Sequence, residues 1–248
     1  FDLCLSISLP RTGLTGCAAC AIIVAIIAQR EPICNTCAVD MAQTTAILQP
    51  EGEKMDKPLS DKRLFIFDMD GTIYLGGRVF PAAVDYISRL RRDGRRVLFF
   101  TNNASHSPDF YIEKLTRLGF EPQPGELLTS ADVTLAFLAA HRPKKSVYLV
   151  GTPELDGQFA AAGIPPVPTA EVLSGAHADI VVTSFDTTLT YDKLNAACRL
   201  IRGGAEYICT HPDYNCPTED GFIPDSGAIA AAVTASTGVK PRFFGKPY

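Results

Sequence analysis

Apolar residues in this chain come in short blocks, and the blocks alternate between strand and helix periodicity. Leu64, Phe65, Ile66 and Phe67 form a run of β-formers that ends in Asp68, Met69, Asp70 and Gly71. Residues 81–92 place Val84, Ile87 and Leu90 at helical spacing, with Pro81 in the first turn and Gly94 beyond the end. Residues 97–101 form a second buried strand, 110–118 a helix stopped by Gly119, and 126–129 a short strand. Ser130 is expected to cap a helix that runs to 140, with Asp132 in its first turn. From about 144 the pattern starts again, with strands at 146–150, 179–183 and 206–210 and helices at 153–162 and 191–202. Residues 221–224 read as extended, 226–236 as a helix of small residues, and 242–245 as the lead into Lys246. This alternation predicts an α/β fold with a parallel sheet covered on both faces, and a second α/β unit inserted into the first. No internal repeat suggests a solenoid.

The 248 residues leave room for one large or two small domains with a sizeable core. A net charge of -4 offers no general attraction for nucleic acid. The cluster Arg89, Arg91, Arg92, Arg95 and Arg96 falls at a helix end, where cations suit the helix dipole and solvent.

Residues 1–54 differ from the rest and hold five of the eight cysteines. The pairs Cys17/Cys20 and Cys34/Cys37 have nearly zinc-ribbon spacing, but the stretch between them is apolar where a ribbon loop is polar. That apolar stretch, 21–28, is shorter than the roughly 20 residues of a membrane span. It also lacks the charged flank and cleavage site of a signal peptide. Glu51, Gly52, Glu53 and Lys54 can be encoded by a string containing a bacterial ribosome-binding site just before Met55. The expectation is that 1–54 is upstream sequence read in frame and that the natural protein starts at Met55. Cys198, Cys209 and Cys216 then remain, too scattered for a disulfide scaffold and read as thiols of a cytoplasmic protein. A membrane-anchored protein is the alternative if 1–54 is native.

The chemistry concentrates at Asp68 and Asp70. Residues i and i+2 of an extended segment point the same way, so the two carboxylates can converge where the strand ends. In open α/β sheets that end is where ligands bind. Two carboxylates in one volume repel, and a hard divalent cation with oxygen ligands offsets this. One acid can then attack an electrophile while the other handles a proton. The same spacing also describes a solvated acidic turn.

The wider context favours chemistry. Phe67, Asp68, Met69, Asp70, Gly71 and Thr72 resemble the first motif of the haloacid dehalogenase (HAD) superfamily. Thr101, Asn102 and Asn103, after an apolar strand, resemble its second motif, and Gly245, Lys246 and Pro247 its third. The form and order of the three are similar to the class IIA, NagD-like branch, over residues 61–248. The resemblance implies a HAD-like Rossmannoid parallel sheet with an inserted α/β cap domain. The core is expected at 55–143 and 218–248 and the cap at 144–217. It further implies Mg²⁺-dependent hydrolysis of small phosphorylated metabolites through an aspartyl-phosphate. Asp68 would be the nucleophile and Asp70 the general acid and base, both holding the metal. Thr101, Asn102, Asn103 and Lys246 would bind the phosphoryl group, and a homodimer through the cap would suit the branch. No nucleic-acid or membrane partner is expected. The family pattern continues past Lys246 with a strand and acids that complete the metal site. A chain ending at Tyr248 is therefore expected to be a fragment with weak or no activity.

Two features stay open at this level. His211, Asp213 and Asn215 are either substrate contacts from the cap or parts of a polar turn. The glycines 76 and 77 suggest a flap beside the acids. A phosphotransferase or mutase on the same acid pair, and a non-catalytic phosphate-binding or scaffold protein, are the rival functions.

Overall fold

The computed structural model describes residues 22–24 and 61–248. The expected upstream segment lies outside the described residues except for strand β1, Ile22–Val24. In the first half follow β2 (Leu64–Phe67), β3 (Tyr74–Leu75), β4 (Arg78–Val79), α1 (Ala83–Arg92), β5 (Arg96–Thr101), α2 (Pro108–Arg117), β6 (Leu127–Thr129) and α3 (Ser130–His141). The second half holds β7 (Val147–Val150), α4 (Pro153–Ala161), α5 (Thr169–Leu173), β8 (Ile180–Thr183), α6 (Tyr191–Arg202) and β9 (Glu206–Cys209). It closes with β10 (Asn215–Thr218), β11 (Gly221–Pro224), α7 (Ser226–Thr237) and β12 (Arg242–Phe243).

Among the described residues these strands build two four-stranded parallel sheets. Sheet A runs β1, β2, β5, β6, with Phe67 opposite Phe99 and Thr101 opposite Thr129. Sheet B runs β12, β9, β8, β7. All four residues of β7 and of β8 are buried, as expected of parallel strands covered on both faces. Alternate residues of sheet B enter different cores. Val147, Leu149, Ile180, Val182 and Ile208 meet α3 and α4 on one face. Tyr148, Val150, Val181 and Tyr207 meet α6 and α7 on the other. In sheet A, Phe65, Phe67, Val97 and Phe99 pack with Ile87 and Leu90 of α1 and Tyr111 and Leu115 of α2. Two antiparallel hairpins, β3–β4 and β10–β11, complete the described strands.

The packing changes several expectations. Helices α3 and α7 pack on sheet B and strand β12 pairs in it, although all three lie outside 144–217. Thr129, not Ser130, caps α3, in a reciprocal capping box with Asp132. Arg91 is not simply solvated: it pairs with Glu126 at 2.5 Å and donates to the Phe120 carbonyl at 2.6 Å. Among the described residues no helix is long and apolar enough to cross a membrane.

Two glycines separate packing from helix propensity. A Cβ on Gly227, at the start of α7, would collide with the carbonyl of Pro212 and sit 2.8 Å from that of Asp213. Gly157, inside α4, has nothing within 4 Å of a Cβ. Gly157→Ala should therefore stabilise the protein by about 0.5–1 kcal/mol. Gly227→Ala should destabilise it by about 1–3 kcal/mol through overpacking. Urea denaturation of both variants checks this, and a Gly227→Ala protein as stable as the parent would contradict the close contact.

Candidate active site

Strand periodicity sets the site at the C-terminal end of β2. Phe67 and Met69 turn into the core, while Asp68 and Asp70 stay partly exposed. Gly71 then adopts φ 80°, a left-handed conformation that glycine takes without strain. The turn closes with the Thr72 hydroxyl donating to Asp68 Oδ2 at 3.0 Å and the Tyr74 hydroxyl approaching Asp70 Oδ2 at 3.4 Å.

Lys246 arrives from the far end of the chain. Its ammonium pairs with Asp68 Oδ1 and donates to the Phe100 carbonyl at 2.8 Å. Thr101 ends β5, one residue from that carbonyl and fully buried. Its Oγ1 accepts the Asn103 N–H at 3.0 Å, which leaves its own hydrogen to donate. The structure thus brings Asp68, Asp70, Thr101 and Lys246 to the same strand ends.

The side chains of the two asparagines turn to protein partners. Asn102 Oδ1 accepts the Lys246 N–H at 2.8 Å, and its Nδ2 donates to the Lys246 carbonyl at 3.0 Å and to Asp213 Oδ2 at 2.8 Å. Asn103 Oδ1 accepts from the Ser105 N–H at 3.0 Å and the Ser105 hydroxyl at 2.7 Å, building the turn before α2. Both Asn102 side-chain N–H groups are spent on protein acceptors, so at this position the main-chain N–H is the donor for a phosphoryl oxygen. Asn103 Nδ2 lies 3.9 Å from Cys216 Sγ.

Sequence reasoning missed Lys114. It lies on α2 between Tyr111 and Leu115, both buried, so it sits at the edge of the inward stripe. Its ammonium is 3.4 Å from Asp70 Oδ1 and 4.2 Å from the centre of the Tyr74 ring. A cation on the buried edge of a helix facing the acid loop was the available signal. Burial pushes the Asp70 carboxyl above its ordinary value, the Lys114 ammonium opposes this, and the charge of Asp68 adds to it.

The loop after β9 was read two ways, and the structure divides it. His211 is fully buried, with Nε2 2.8 Å from Asp225 Oδ1 and Nδ1 3.0 Å from Thr210 Oγ1. It faces the interior, not a substrate. Asp213 is spent on Asn102, and Asn215 is exposed at the start of β10. His211, Asp213 and Asp225 bring ligand-type atoms within 4.8 Å of one another, each already engaged by a protein partner. The hairpin β10–β11 then crosses toward the acid loop, where Glu219 Oε1 accepts the Gly77 N–H at 2.8 Å.

Residues 65–165 match the model of the haloacid dehalogenase-like hydrolase family. The chain is 36% identical over 185 residues to an acid sugar phosphatase of Staphylococcus aureus, covering 75% of this chain and 69% of that protein. The chain belongs to the haloacid dehalogenase-like hydrolase family. Its branch is the NagD-like class IIA. The 4-nitrophenylphosphatase of Thermotoga maritima superposes with a TM-score of 0.67 at 39% identity, over 74% of this chain and 67% of that one. A magnesium complex of a glycerol phosphate phosphatase from Mycobacterium tuberculosis gives a TM-score of 0.67 at 37% identity, over 74% and 54%.

Mg²⁺ is the metal of this family's phosphatases, and the residues here fit it. The donors are all oxygen, from Asp68 and Asp70, and Asp70 is a half-buried acid whose charge desolvation and a second carboxylate both disfavour. Mg²⁺ is commonly held by one or two carboxylates, with water and phosphate oxygens completing the shell.

Cys216, on β10, lies 3.9 Å from Asn103 Nδ2 at the side of the site. Burial, with the charges of Asp225 and Asp70, pushes its thiol up to about 12. In the native protein at pH 8, iodoacetamide should leave Cys216 unmodified for as long as full alkylation takes in urea. Peptide mass spectrometry reads this, and rapid native-state labelling would show the hairpin does not cover the thiol.

Proposed function

We propose that this chain is a Mg²⁺-dependent phosphomonoester hydrolase in which Asp68 is the nucleophile. The observation that carries the reading is the Lys246 ammonium seated between Asp68 and the Phe100 carbonyl, beside Thr101. Asp68 attacks phosphorus and the P–O bond to the leaving alcohol breaks, giving an acyl phosphate. Asp70 donates its proton to that alcohol as it departs. Water then attacks phosphorus, Asp70 takes its proton, and inorganic phosphate leaves with Asp68 restored. Burial favours the protonated form of Asp70, which suits the first half of the cycle. The Thr101 hydroxyl and the Asn102 N–H hold phosphoryl oxygens, and Lys246 offsets negative charge on nucleophile and phosphate. Mg²⁺ held by Asp68 and Asp70 would supply further neutralisation of negative charge.

We read the substrate as a small phosphorylated metabolite. The names of the relatives support this, two of them being phosphatases of sugar and glycerol phosphates. So does the approach of β10–β11 to the acid loop, where Pro217 lies beside Gly71 and Glu219 holds Gly77. The cap-to-cap homodimer and the cytoplasmic setting stay part of the reading.

With p-nitrophenyl phosphate and Mg²⁺, Asp68→Asn should lose at least about 1000-fold in kcat and Asp70→Asn at least about 100-fold. EDTA should abolish turnover and added Mg²⁺ restore it. Unchanged turnover in the Asp68→Asn protein would rule the mechanism out.

A further inference from the structure

We propose that Asn102 is a positioning residue that acts through Lys246, and that Asp213 sets the orientation of its amide. This deepens the hydrolase reading above, since Lys246 is the cation of the same site.

An asparagine amide has an acceptor oxygen and two N–H donors. The oxygen of Asn102 takes the Lys246 N–H, and its two N–H groups go to the Lys246 carbonyl and to Asp213. One planar group therefore grips both main-chain polar groups of one residue. That grip fixes the Lys246 backbone and aims its side chain at Asp68 and the Phe100 carbonyl. Fixing a lysine side chain costs rotamer entropy, so an anchored base helps hold the ammonium at its target.

The direction of the amide is not arbitrary. Flipping it would set its oxygen against the Lys246 carbonyl and the Asp213 carboxylate. The charged acceptor at Asp213 strengthens the bond that prevents this. The main chain of Asn102 is held as well, by the Ser130 hydroxyl donating to its carbonyl at 2.6 Å. Gly245 allows the close approach, because a Cβ there would lie 2.6 Å from Asn102 Oδ1 and 2.6 Å from His211 Cβ.

Asp213 is braced in turn. Its carbonyl accepts the Gly227 N–H at 2.7 Å, and its neighbour His211 is tied to Asp225, the N-cap of α7, at 2.8 Å. A path of hydrogen bonds thus runs from the start of α7 through Asp213 and Asn102 to Lys246 and Asp68. It spans 111 residues between Asn102 and Asp213 and 144 between Asn102 and Lys246.

The test has a structural arm and a kinetic arm. Crystal structures of the parent chain, Asn102→Ala and Asp213→Ala should show the Lys246 ammonium withdrawn from Asp68 in both variants. An ammonium still on Asp68 in either variant overturns the proposal, and if Asn102→Ala fails to fold, Asp213→Ala decides alone. In turnover of p-nitrophenyl phosphate, Lys246→Ala should lose about 100- to 1000-fold in kcat, and Asn102→Ala about tenfold or more. The double variant should match Lys246→Ala within about twofold, because removing the lysine leaves the clamp nothing to act on. Full additivity would mean a general structural role and overturns the proposal. Asp213→Ala should lose about tenfold, and Asp213→Asn, which keeps an acceptor oxygen, should recover most of that loss. If the parent chain turns over no phosphate ester, the hydrolase reading falls, while the crystal structures still decide the clamp.

Discussion

Two carboxylates one residue apart at the end of a buried strand cannot both stay charged without a compensating cation. Here the protein's own cations do part of that work, Lys246 on Asp68 and Lys114 on Asp70. The Lys246 contact joins residues 178 positions apart, and much of the fold between them serves to bring them together. Sheet A carries the acids, and sheet B ends in the β12 strand that delivers the lysine.

Much of this was legible in the residue pattern. The strands at β2, β5, β7, β8 and β9 are blocks of β-branched and aromatic residues with turn signals on both sides, and burial on both faces makes them continuous. Asp68 and Asp70 were readable because strand geometry alone puts them on one side. What was less legible depends on contacts distant in sequence. Arg91 sits in a run of arginines that looks solvated until Glu126 and the Phe120 carbonyl fold onto it. Helix α5 follows a proline-rich stretch and packs through Val172 and Leu173 into the core of sheet B. Strand β10 contains Asn215 and Pro217, poor strand formers, and pairs because β11 lies beside it.

The asparagines carry the clearest lesson. Their position after β5 marked them as site residues, but side-chain direction was not in the motif. The Asn102 amide spends its oxygen on the Lys246 N–H and its donors on the Lys246 carbonyl and Asp213, and the Asn103 carbonyl turns into its own loop. Polar side chains near a phosphate site can thus be scaffolding for other groups, and only their hydrogen-bond partners tell the two uses apart. The same signal decides between the two readings of His211: a buried histidine engaged by Asp225 and Thr210 belongs to the frame.

The central claim is that Asp68 forms a covalent bond to phosphorus, and trapping that bond tests it most directly. The protein would be mixed with p-nitrophenyl phosphate and Mg²⁺, quenched in acid within the first turnovers and reduced with borohydride. Borohydride converts an acyl phosphate to an alcohol, so the account predicts homoserine at position 68 by peptide mass spectrometry. Turnover with an unmodified aspartate at 68, or with the modification at Asp70 instead, would contradict it.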